Sequence, residues 1–103
     1  MSGEYDVELD GARGAWMHVE FTTQAREVTD YAVVLLVEQE GELETVRVYD
    51  SAHAENEMHR YTRAGGKQAA QLFHRGTLGA GMRAAIESVK RGYLPMIESW
   101  HRS

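Results

Sequence analysis

Residues 30–50 read DYAVVLLVEQEGELETVRVYD, two runs rich in β-branched and aliphatic residues separated by Glu40-Gly41. Glycine tolerates the positive φ that a two-residue hairpin turn demands, so Glu40-Gly41 is read as the turn and Gln39 faces Glu42. Paired residue numbers then sum to 81, which sets Leu35 opposite Val46, Val33 opposite Val48 and Tyr31 opposite Asp50 on one apolar face. The other face carries Ala32, Val34 and Leu36 with Leu43, Thr45, Arg47 and Tyr49. It is apolar enough on one strand to predict partial cover, for instance by a second copy in a homodimer. A slip of one residue would turn Val46 and Val48 outward.

Outward from this hairpin the alternation continues. Tyr5-Val7-Leu9 interleaves with acidic residues as an edge strand, and Gly11-Ala12-Arg13-Gly14 reads as a turn. Met17-Val19-Phe21 alternates with His18-Glu20-Thr22 as a second strand. Residues 23–30 are polar and unpatterned, a loop or a frayed strand end. Met58 to Arg63 is extended, and Ala64-Gly65-Gly66-Lys67 is a turn. Ala69 to Phe73 reads as a fifth strand, with a helical turn as the alternative. From Thr77, a plausible N-cap, the period changes. Leu78, Met82, Ala85, Ile86, Val89, Tyr93, Met96, Ile97 and Trp100 recur at three and four residues, the stripe of an amphipathic helix. Such a helix spans roughly 36 Å at about 1.5 Å per residue, long for a domain of about 13 Å radius of gyration. A kink near Gly92–Pro95 is therefore expected, with Trp100 anchoring the last turns. The fold class is α+β: one domain over residues 1–103, an antiparallel sheet of about five strands under one long C-terminal helix.

Hydrophobic residues at 43% and charged residues at 26% place the chain among globular proteins and away from disorder. The absence of cysteine excludes disulfides and thiolate metal or redox sites. The acidic start carries no leader-like apolar run, and no segment is apolar enough to span a bilayer, so a cytoplasmic protein without membrane contact is expected. Charge is unevenly placed. Residues 1–57 hold 3 Lys/Arg against 14 Asp/Glu, while residues 58–103 hold 8 Lys/Arg against only Glu87 and Glu98. Two explanations compete: an acidic sheet and a basic helix neutralise each other within the fold, or the basic half awaits a polyanion.

Tyr49-Asp50-Ser51-Ala52-His53 and His59-Arg60-Tyr61 flank one short loop at a strand end, where sites commonly lie. His53 and His59 can act as an acid–base pair, and Asp50 can orient one imidazole. Arg60 can grip a phosphate, and Tyr61 can donate a proton or stack on a base. Metal-free RNA cleavage needs that kit. The simpler account has Asp50 and Ser51 capping a turn and both histidines on the surface. Asp50, His53 and His59 match no familiar metal-site spacing, so no metal and no cofactor is expected. Gly76 to Gly81 lacks a Rossmann unit and a Walker lysine. His18, His74 and His101 are read as surface residues.

The segment VRVYDSAH, then HRYTRAGG, QLF and a closing helix resembles the TumE-like small proteins of bacterial toxin–antitoxin pairs and related bacterial proteins. The matching positions are Tyr49, Asp50, Ala52, His53, His59, Arg60 and Gly66, within roughly residues 15–100. A glycine commonly follows the Ala-His pair of these proteins, and here Ala54 stands there. Tyr61 follows His59-Arg60 where that family has a richer histidine patch. The resemblance implies an RNA-targeting toxin with a cognate antitoxin as partner. On that expectation Asp50, His53, His59, Arg60 and Tyr61 form a catalytic cluster, and Arg63, Lys67, Arg75 and Arg83 contact phosphates. The competing expectation is a non-catalytic interaction module, dimeric or bound to a partner protein.

Overall fold

A computed structural model describes residues 1–103. Seven strands and one helix follow in order: β1 (Ser2–Asp10), β2 (Ala15–Gln24), β3 (Glu27–Gln39), β4 (Glu42–Asp50), β5 (Asn56–Thr62), β6 (Gly66–Lys67), β7 (Gln71–His74) and α1 (Leu78–Arg102). The sheet is antiparallel throughout. Strands β1 to β5 lie side by side in chain order, and β6 and β7 pair with opposite ends of β5. The α+β class is thus as expected, with two short strands more than the sequence suggested. Residues 71–74 are strand, which settles the fifth-strand alternative.

The helix packs on β3, β4 and β5. Strand alternation sends Ala15, Met17 and Val19 of β2 and Tyr31, Val33, Leu35 and Val37 of β3 to its side, where all are buried. Ala85, Val89, Ile97 and Trp100 meet them from the helix. Fully burying side chains such as Leu35 or Val33 is worth about 1.5–3 kcal/mol each, so this layer dominates stability.

The central hairpin corrects one expectation. Glu40 (φ 53°) and Gly41 (φ 83°) make the anticipated two-residue turn, and the pairing rule holds from Gln39↔Glu42 to Leu36↔Thr45. A bulge at Val46 then shifts the register by one. Leu35 faces Arg47, Val33 faces Tyr49 and Ala32 faces Asp50, instead of the expected Leu35–Val46, Val33–Val48 and Tyr31–Asp50 pairs. The physical reason is burial of both Val46 and Tyr49, three residues apart. A regular strand cannot aim i and i+3 at one face, whereas a bulge can. Tyr49 therefore belongs to the core and not to the open face, while Val48 turns outward.

Residues 23–30, expected as a loop or a frayed strand end, are strand on both sides of a tight turn. Strand β2 runs to Gln24 and β3 starts at Glu27, joined by Ala25 (φ 51°) and Arg26 (φ 69°). This primed turn carries neither glycine nor asparagine, so its usual signal is missing.

Thr77 caps α1: its Oγ1 accepts the Ala80 N–H at 3.1 Å. The helix continues through Gly92 and Pro95 to Arg102. The molecule measures 42 × 26 × 21 Å with a radius of gyration of 13.4 Å, so its long axis is enough for about 37 Å of helix. Trp100 is 6% exposed and anchors the C-terminal end, with the Arg63 guanidinium 5.4 Å above its ring centroid. No helix is long and apolar enough to cross a membrane.

Candidate functional site

Strand β4 ends at Asp50, and the loop to β5 is tied back at once. Ser51 Oγ accepts the Tyr31 N–H at 2.9 Å and donates to Asp30 Oδ1 at 2.7 Å. Asp50 Oδ1 accepts the Ala52 N–H at 3.3 Å, the turn-capping role that the simpler account assigned to it. Ala54 then takes φ 61°, a left-handed conformation that favours glycine.

Strand β5 opens with Asn56, which is 1% exposed and holds the surroundings together. Its Oδ1 accepts the Tyr31 hydroxyl at 2.8 Å. Its Nδ2 donates to the carbonyls of His74, Gly76 and Thr77 at 3.2–3.3 Å. Burial, and then the charge of Asp50, raise the Tyr31 phenol above its usual range, so it remains a donor to Asn56.

His59 and Asp50 do come together. His59 is buried, and its Nδ1 lies 3.0 Å from the Gln68 carbonyl oxygen. A carbonyl only accepts, so Nδ1 carries the proton and Nε2 faces Asp50 Oδ2 at 3.9 Å. His53 takes a different partner: its exposed ring places Nδ1 2.6 Å from Glu57 Oε1. That hydrogen bond, and then the Glu57 charge, hold the His53 imidazole above its usual pKa. Glu57 is the member of the cluster that sequence reasoning missed. It pairs across the ladder with Asp50, and its spacing of four from His53 and two from His59 was the available signal.

The remaining expected residues point elsewhere. Arg60 is exposed and stands opposite Arg47 in the β4–β5 ladder, on the alternate face from its neighbour His59. Tyr61 lines a cavity of about 670 Å³ with Thr62, Arg63 and Trp100. Asp50 instead borders a cavity of about 590 Å³ with Glu4, Glu20 and Asp30. The five expected catalytic residues therefore split into an Asp50–His59 contact, a neighbouring His53–Glu57 pair, and two side chains directed away. Asp50, His53 and His59 do not converge as metal ligands; Glu4, His18 and Glu20 on the β1–β2 hairpin do.

The expected phosphate contacts are dispersed along one long dimension. Arg63 sits by the helix C-terminus, where its Nη1 donates to the His101 carbonyl at 3.5 Å. Lys67 and Arg75 are exposed on β6 and before α1, and Arg83 lies beside the helix N-terminus near Arg26. Compared with known proteins, the chain matches no family model, and no curated protein or solved structure matches it significantly.

Proposed function

We propose that this chain is an RNA-binding protein of the TumE-like toxin kind, which grips phosphates through its basic half. The observation carrying this is the failure of the two halves to neutralise each other. Of the eight Lys/Arg in residues 58–103, only Arg91 and Arg102 have a carboxylate within 4 Å, and both partners, Glu87 and Glu98, lie on the same helix. Arg60, Arg63, Lys67, Arg75, Arg83 and Lys90 have none. Arg47 and Arg60 add a like-charged pair directly across a ladder, an arrangement that costs stability until an anion arrives. Arg47 Nε is buried without a hydrogen-bond partner.

Binding is better supported than cleavage. His59 is 7% exposed, which suits a side chain holding the Gln68 segment more than one reaching a ribose hydroxyl. His53 is exposed, and its ring partner is Glu57 rather than His59. The test is fluorescence anisotropy of labelled single-stranded RNA with purified protein at low salt, followed by gel analysis of the same RNA. Absence of binding sinks the proposal, whereas binding without cleavage removes only the ribonuclease reading.

A second reading rests on the uncovered face of the sheet. Trp16, Ala32, Val34, Leu36 and Val48 form a half-buried apolar row there with nothing packed over it. Such a row suits a second copy or a partner protein such as an antitoxin. Light scattering at micromolar concentration checks the first option: a dimer supports it, and a monomer leaves only the partner.

A further inference from the structure

The β1–β2 hairpin presents four ionisable side chains on the uncovered face, from two short repeats, Glu4-x-Asp6 and His18-x-Glu20. Register places Glu4 directly opposite Glu20 and Asp6 directly opposite His18. Asp6 Oδ1 lies 2.7 Å from His18 Nδ1, so it takes that proton and fixes the ring. The opposite ring atom, Nε2, then meets Glu4 Oε2 at 3.5 Å and Glu20 Oε2 at 3.6 Å. These separations are too long for good hydrogen bonds. They do match a common coordination sphere. Ligands about 2.0–2.2 Å from a tetrahedral ion lie roughly 3.3–3.6 Å from one another.

We propose that Glu4, His18 and Glu20 bind one divalent transition-metal ion, with Asp6 as the orienting carboxylate behind the imidazole. Three features beyond the clustering of acids support this. Asp6 on Nδ1 leaves Nε2 turned to the two carboxylates, where it can ligate once a metal displaces its proton, the arrangement that metal-ligating histidines use. Glu4 and Glu20 face each other across a ladder, where like charges are destabilising, and a cation would reverse the sign of that interaction. Three protein ligands leave a fourth position open, and Glu4 and Glu20 both border the 590 Å³ cavity that Asp30 and Asp50 also line. One nitrogen and two carboxylates favour zinc or manganese over magnesium or calcium, which prefer oxygen alone. The inference does not depend on the RNA-binding proposal.

The test is calorimetric titration of the chelator-treated full chain with zinc chloride alone, alongside thermal melts and NMR of the His18 ring. The expected result is a single saturable site, a melting temperature raised by zinc, and a His18 ring signal that moves on binding. Glu4→Gln and Glu20→Gln should each weaken zinc by about tenfold or more, because each removes a carboxylate ligand. Asp6→Asn should weaken zinc by about tenfold without removing a ligand. Both glutamate side chains are largely exposed, at 69% and 56%, so these variants keep the test valid even if His18→Ala fails to fold. No saturable binding below about 100 µM, a worthless affinity for a resident ion, overturns the proposal. So does zinc binding that survives in the Glu4→Gln/Glu20→Gln double variant, or magnesium competing at equal concentration.

Discussion

His53 differs from its neighbour His59 in the way that decides what each can do. An exposed imidazole hydrogen-bonded to Glu57 holds its proton more tightly than the usual value of 6.5. Its folded pKa is raised, so the stabilisation it brings is complete below the unfolded pKa and fades as pH rises through the folded one. An NMR titration should show His53 titrating above the reference, and Glu57→Gln should return it toward 6.5. A His53 unaffected by Glu57→Gln would contradict the pairing. Asn56 is the residue of largest structural consequence. Asn56→Ala would strip the partner from the buried Tyr31 hydroxyl and the side-chain donor from the His74 and Gly76 carbonyls, while the Thr77 carbonyl keeps the Gly81 N–H. The expected loss is roughly 3 kcal/mol or more by urea denaturation, since each stranded buried group costs about 1–3 kcal/mol. The sequence showed Asp50 and His59 as candidates for one place, because they flank the short loop between two strands. It did not show Asn56, Glu57 or the Glu4–His18–Glu20 group. The roles of Glu57 and of the Glu4–His18–Glu20 group depend on which residues face each other across β4–β5 and β1–β2, and the alternation of each strand alone sets no register between them.

At the scale of elements, strand and helix periodicity carried most of the fold, and the two failures have different causes. The bulge at Val46 is made where burial of Val46 and Tyr49 outweighs a regular register, and the turn at exposed Ala25-Arg26 lacks the glycine or asparagine that would announce it. The helix offers a sharper comparison between two glycines. Gly81 lies against Asn56, so closely that a Cβ there would overlap the asparagine side chain, whereas a Cβ on Gly92 meets only the flexible end of Met96. Replacing a helical glycine by alanine is worth up to about 1 kcal/mol in intrinsic propensity. Gly92→Ala should therefore raise the melting temperature. Gly81→Ala should lower it, because the Asn56 network must move. Equal shifts in the two variants would show that the Gly81–Asn56 contact does not hold the helix N-terminus to β5.

For the whole molecule, the sheet buries one face under α1 and leaves most acidic side chains on the hairpins, while six of the eight cations of residues 58–103 have no carboxylate partner. Stability and binding should accordingly separate. Leu35→Ala, at a site with no exposure, should cost about 2–5 kcal/mol in a denaturation experiment, while neutralising exposed Lys67 or Arg75 should change stability within about 0.5 kcal/mol. The most direct test of phosphate recognition by the basic half is the salt dependence of RNA affinity. It is best measured for the native chain and for an Arg63→Gln/Lys67→Gln/Arg75→Gln variant that melts normally. Affinity of the native chain should fall steeply and linearly in log–log form. Each cation removed should reduce the slope by about 0.7, the value for single strands. A chain that binds no RNA at low salt, or a variant whose slope equals that of the native chain, would contradict the account.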